Sequence, residues 1–207
     1  MPIGVSGKVV VLFSGGIDSP VAAWMLMKRG CSVELLHFHA LKKNSDVKKT
    51  KIYELAKILS SYHKVRLHVV PFHDFSVASL ALWSYEMVMF KRFITSFAEK
   101  FAEKNNIKAV VTGDDLSQVA SQTMGNINAV SYGTKVQIFR PLIGFDKQEI
   151  IGLAQKIGTY ETSIKKYKDC CSIVAKNPEI NASVEKVGEL EKKISMDKII
   201  EKSLKLM

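Results

Sequence analysis

The chain has 207 residues, 47% of them hydrophobic, with 30 basic against 20 acidic side chains for a formal charge of +10. That is one ordinary domain, or one domain with a tail, and the balance excludes wholesale disorder, collagen and coiled coil. No apolar run nears the ~18 residues of a membrane span, no leader precedes Gly7, and three cysteines do not make a disulfide framework, so a soluble cytoplasmic protein is expected.

Lys8–Phe13 is a continuous β-branched and apolar run, as in a strand covered on both faces. Ser14-Gly15-Gly16-Ile17-Asp18-Ser19 breaks it, and Pro20 suits the first turn of a helix that runs on through Arg29 and stops at Gly30. Ser32–Phe38 is a second strand. Between Val47 and Tyr62 the apolar residues Ile52, Leu55, Ala56 and Leu59 recur at helical spacing, and Val65–Phe72 alternates like a strand. Residues 84–104 carry a long stripe through Met87, Phe90, Ile94, Phe97 and Phe101. Ala109–Thr112 is another buried strand, 115–130 is expected as helix interrupted near Gly125, and Val136–Phe139 is a short strand. Asp146 with Glu149 forms a capping box for a helix that Gly158 ends. Residues 161–178 look like loop and 181–206 like one polar helix with a Val184, Val187, Leu190, Ile194 stripe. The expected fold class is α/β: a doubly wound, mainly parallel five-stranded sheet with helices on both faces and a C-terminal helical tail.

The charge excess is greatest in residues 1–63, nine basic side chains against four acidic. It reads equally as a surface for a polyanion and as a solvated Lys-rich face. The loop after the first strand is more specific. Two glycines allow positive φ and bare amides, the helix start adds partial positive charge, and Ser14 and Ser19 add hydroxyls, so the geometry favours phosphate. The G-x-x-x-x-G-K-[ST] and G-x-G-x-x-G patterns are both absent, which excludes the kinase-type loop and the dinucleotide fingerprint. Asp18 would repel naked phosphate, and makes sense if a divalent cation sits between them. The alternative is a tight Gly-Gly turn with a capping serine.

Ser14–Ser19 matches the S-G-G-x-D-S signature of the PP-loop ATP pyrophosphatases, whose fold is that of the adenine nucleotide α-hydrolases. With His37-Phe38-His39, Thr112–Thr123, Arg140-Pro141-Leu142-Ile143-Gly144, Gly158-Thr159-Tyr160-Glu161 and Asp169-Cys170-Cys171 in this order, the chain resembles the catalytic domain of the tRNA 4-thiouridine synthetase family (tRNA sulfurtransferases, also linked to thiamine thiazole synthesis) over roughly residues 6–178.

The resemblance implies ATP, with Mg²⁺, as cofactor and tRNA as acceptor. Leu12, Phe13, Ser14, Gly15, Gly16, Ile17 and Ser19 would hold the nucleotide, with His37 and Phe38 at adenine and ribose, and Lys91, Gly113 and Gln122 as further contacts. Asp18 is the expected catalytic residue at the ATP-bound metal, and Cys171 the expected carrier of sulfur as thiolate or persulfide. Asp114 and Asp115, where the family has Glu followed by Ser, are assigned no catalytic role. The implied chemistry is adenylation of uridine O4 with release of pyrophosphate, followed by displacement of AMP by sulfur. A persulfide carrier protein is the expected sulfur donor, a separate THUMP-type protein a candidate for delivering the tRNA, and a homodimer a further expectation. The expected organisation is a catalytic domain over 1–178 and a helical tail over 179–207, with neither a THUMP nor a rhodanese-like domain. No iron–sulfur cluster is expected, because adjacent thiolates do not both reach one cluster comfortably. Two rival readings remain: a PP-loop synthetase of amidotransferase type with a small-molecule acceptor, and a non-catalytic nucleotide-binding subunit.

Overall fold

The computed structural model describes residues 4–167 and 178–207. Within them β1 (Lys8–Leu12), β2 (Ser32–His39), β3 (Arg66–Pro71), β4 (Ala109–Val111) and β5 (Gln137–Phe139) form one sheet in the order β3-β2-β1-β4-β5, with every neighbouring pair parallel. Strand periodicity sends alternate side chains to opposite faces. Val9, Val11 and Phe13 therefore join one core with α1 (Asp18–Lys28), α2 (Lys51–Tyr62) and α6 (Lys147–Lys156). Val10 and Leu12 join the other, against α3 (His73–Ser79), α4 (Glu86–Lys104) and α5 (Met124–Ser131). The second core is rich in phenylalanine: Phe93 and Phe97 of α4 are both fully buried.

The expected fold class is the observed one, with local differences. The first helix begins at Asp18, which places Pro20 in its first turn as expected. Between residues 115 and 123 there is no helix. Ser117 takes φ +64°, its N–H donates to the Gln122 carbonyl, and Leu116 N–H donates to Ile143 O, so the backbone is drawn into a loop that closes in a 3₁₀ turn at Ala120–Gln122 before α5. A short helix, α7 (Tyr160–Ser163), stands where loop is expected.

The segment expected as one polar helix over 181–206 is two, α8 (Val184–Lys193) and α9 (Met196–Lys205), because Ser195 adopts a left-handed conformation at φ +53°. The break turns Met196, Ile199 and Ile200 of α9 onto the phenylalanine-rich core beside Val187 and Leu190 of α8. The last turn is tied back across the molecule, Asn44 Nδ2 donating to Leu206 O at 2.9 Å. No helix among the described residues is long and apolar enough to cross a membrane.

Candidate functional site

In this strand order β1 lies between β2 and β4, so the chain leaves the two central strands toward opposite edges of the sheet. A crevice opens there beyond their carboxyl ends, the place where open α/β sheets take ligands.

The turn from β1 to α1 folds on its own hydroxyls. Ser14 N–H donates to Ser19 Oγ at 3.2 Å, Gly16 N–H donates to Ser14 Oγ at 3.3 Å, and the two hydroxyls lie 3.3 Å apart. Gly15 takes φ +80°, and a Cβ there would stand 2.2 Å from the Cδ1 of the buried Ile52. α1 has no side-chain cap, so its first-turn amides carry partial positive charge toward the crevice. Across from it, a Cβ on Gly113 would stand 3.0 Å from the backbone of Asp18 and Ser19; only glycine lets the exit of β4 lie this close to the helix start.

Leu12, Ser14, Gly16, Asp18, Ser19, Lys91, Gly113 and Gln122 of the sequence-derived set line one cavity of about 460 Å³, a volume usual for small-molecule sites. Phe13, Gly15, Ile17, His37 and Phe38 do not line it. The Phe38 ring lies in the core, edge-on to Phe93 and Phe97 at centroid distances of 5.7 and 5.2 Å, and Phe13 is buried in the opposite core.

His37 is fully buried beneath the loop, its Nδ1 2.7 Å from Phe13 O and its Nε2 3.2 Å from the Tyr167 hydroxyl. Burial pushes its pKa down to about 4, against the pull of the Phe13 hydrogen bond. The ring is therefore neutral: Nδ1–H donates to Phe13 O, and Nε2 accepts from Tyr167. Cys171, like Cys170, lies outside the described residues; Pro178, just beyond them, lines the cavity.

Of the charged groups here, Asp18 and Lys91 were expected at the site, and Asp114, Asp115, Arg140 and Lys147 were not. Lys147 Nζ, at the start of α6, lies 2.6 Å from Asp18 Oδ1. Asp114 Oδ1 receives Lys91 Nζ at 2.8 Å and Gln122 Nε2 at 3.5 Å, and Arg140 Nε faces Asp114 Oδ2 at 3.7 Å, too long for a hydrogen bond. Burial works to raise the Asp114 pKa, but the charge and hydrogen bond of Lys91, with Arg140, hold it below the usual value. Asp115 is the converse: burial, then the charge of Asp18, raises its carboxyl. Buried here and without hydrogen-bond partners are Thr112 Oγ1, Asp115 Oδ2, Gln122 Oε1 and Arg140 Nε. Two successive carboxylates directly after a buried strand were the visible signal for Asp114 and Asp115; nothing in local spacing marks Lys147.

The sequence matches the family model described as Thiamine biosynthesis protein (ThiI) over residues 4–196. It is 47% identical over 210 residues to the probable tRNA sulfurtransferase of Caldanaerobacter subterraneus subsp. tengcongensis, covering 97% of this chain and 54% of that protein. The probable tRNA sulfurtransferase of Thermus thermophilus is 44% identical over 209 residues, covering 99% of this chain and 52% of the relative. The fold matches a crystal structure of a 4-thiouridine synthetase–RNA complex with bound ATP at a TM-score of 0.89 and 36% identity, covering 98% of this chain and 54% of that one. The chain spans about half the length of the curated relatives it matches.

Proposed function

The chain belongs to the thiamine biosynthesis protein (ThiI) family, and from that premise we propose that it performs the ATP-dependent step of a tRNA sulfurtransferase. The observation that carries the reading is the cavity at the ends of β1 and β4, where an uncapped helix start, a glycine-bearing hydroxyl turn, Lys91 and Arg140 face one volume, with Lys147 paired to Asp18 of its wall. That arrangement suits a nucleoside triphosphate. The turn and the first amides of α1 take the outer phosphates and stabilise charge gathering on pyrophosphate as it leaves. The acceptor, a uridine carbonyl oxygen, attacks the α-phosphorus; sulfur then attacks the adenylated carbon and AMP departs, giving 4-thiouridine.

The donor set also suits the magnesium that accompanies ATP. Asp18 and Asp115 are two neighbouring carboxylates, one with a buried oxygen lacking a partner, and oxygen ligands of this kind are what the hard cation takes beside phosphate. Asp18 would hold it, with Asp115 alongside; bound there, the ion supplies Lewis-acid polarisation of phosphate oxygens. Lys147 is poised at Asp18 to take over charge as phosphates enter.

Cys171 carries the sulfur in this proposal as a persulfide, fed by a persulfide carrier protein and without an iron–sulfur cluster; its outer sulfur attacks the adenylated carbon, and a second thiol cleaves the S–S bond to release 4-thiouridine, leaving a disulfide that a thiol reductant reduces. A THUMP-type module brings the tRNA, the working unit is a homodimer in the cytoplasm, and sulfur transfer to a thiamine thiazole precursor is a second outlet.

The test is paired. Mass spectrometry of tRNA nucleosides from cells with and without the protein is expected to show 4-thiouridine only with it. Cys171→Ser is expected to keep ATP–pyrophosphate exchange and lose thiolation. Pyrophosphate release stimulated by a small acceptor and not by tRNA would overturn the reading.

A further inference from the structure

Asp114 is out of place by charge. A cavity that receives a polyanion carries a half-buried carboxylate in its wall, ion-paired with Lys91. Taken as charge alone it opposes the ligand. Its contacts give it another role. Lysine is a compact cation on a flexible four-carbon stem, and fixing that stem costs rotamer entropy. Lys91 reaches the cavity from α4, and its Nζ is fixed 2.8 Å from Asp114 Oδ1 with only 16% of the side chain exposed. The same carboxylate draws the amide nitrogen of Gln122 to 3.5 Å, which leaves Gln122 Oε1 buried and unpartnered at the cavity wall. Arg140 stands on its other oxygen. The side chains of one cation-bearing helix and of the β4 and β5 exits are thus set in place before any ligand enters.

We propose that Asp114 is a positioning residue that holds Lys91 and Gln122 in their nucleotide-receiving geometry, so that the affinity it confers through preorganisation exceeds the repulsion it brings. The proposal rests on the nucleotide reading above. It predicts an effect opposite in sign to simple electrostatics. Removing a negative charge from a polyanion site tightens binding if the carboxylate acts only as a charge; it weakens binding if the carboxylate acts through Lys91.

The experiment is calorimetric titration of the chain with a non-hydrolysable ATP analogue and magnesium, for the native protein, Asp114→Asn, Lys91→Met and the double variant, each checked by thermal unfolding. Asp114→Asn is expected to bind about tenfold more weakly, the size of a lost charge-assisted hydrogen bond. In the Lys91→Met background the same change is expected to cost no more than about twofold, since both residues act as one unit. Asp114→Ser reads the same quantity if the asparagine variant does not fold. Unchanged or tighter binding by the Asp114 variants, or losses that simply multiply in the double variant, overturns the proposal while leaving the nucleotide reading standing. Failure of the native chain to bind the analogue overturns both.

Discussion

The two ends of the sheet each gather charge, and they do it differently. At the amino ends Glu34, itself buried, faces Lys8 at 3.4 Å, Arg66 at 3.8 Å and His68 at 2.7 Å. None of the polar side-chain atoms in that cluster is buried without a partner. At the carboxyl ends Asp18, Asp114 and Asp115 meet Lys91, Arg140 and Lys147, and four buried polar atoms, on Thr112, Asp115, Gln122 and Arg140, have no hydrogen-bond partner. Native interiors pair nearly all such atoms, so an orphan needs an explanation. One network closes on itself; the other leaves polar atoms without partners at the cavity described above.

The sharpest way to break this contrast is to alter one carboxylate at each end. Asp18→Asn is expected to lower ATP–pyrophosphate exchange by about 10²–10³-fold, the scale of several kcal/mol of metal-borne charge stabilisation, with the unfolding midpoint nearly unmoved. Glu34→Gln should do the reverse, leaving exchange intact. If both substitutions change exchange alike, the two ends do not divide the work as described.

A pH titration of stability sharpens the comparison at the site end. His37 is neutral in the fold because burial lowers its pKa from 6.5 to about 4. Between those values the unfolded chain binds the proton and the folded chain does not, so stability rises with pH across that window. Its contribution is complete above pH 6.5 and lost on descent to pH 4, a change of about 3 kcal/mol. Urea midpoints at pH 7 and pH 4 for the native protein and His37→Gln check it: the variant should show the smaller drop.

Gly15→Ala should cost about 1–3 kcal/mol, since a methyl at positive φ meets Ile52 in a filled core. Denaturant unfolding of this variant alone and with Ile52→Val should show the second change recovering part of the loss. Glu34→Gln is the smallest, about 1–2 kcal/mol in the same measurement, because two of its partners are largely exposed and screened by water.

The parts of this architecture that follow from neighbours in sequence were readable. Apolar runs such as Lys8–Phe13 mark strands, the Gly15-Gly16 pair marks the tight turn into α1, and Asp146 with Glu149 marks a helix start that the structure forms with both reciprocal hydrogen bonds. Pairings set by topology were not. Asp18 and Lys147 stand 129 positions apart and Lys91 and Asp114 stand 23 apart, and no periodicity selects one lysine from the many. Phe38 shows the limit in miniature. Its place beside His37 in sequence suggests a shared role, yet alternation sends the two side chains to opposite faces of β2, one to the aromatic core and one beneath the turn from β1 to α1. The loop over 115–123 was missed for the same reason, since a contact to Ile143 decides it.

The tether between Asn44 and Leu206 bears on how the protein should be handled. Asn44 also accepts from His39 Nε2, so the final residues connect directly to the exit of β2. A purification handle fused after Met207 would tug on that strand. A fragment trimmed at residue 178, for screening or crystallisation, would strip Val187, Leu190, Met196, Ile199 and Ile200 from the phenylalanine-rich core and expose apolar surface. Handles belong at the front of the chain, and the last two helices belong in every expression boundary.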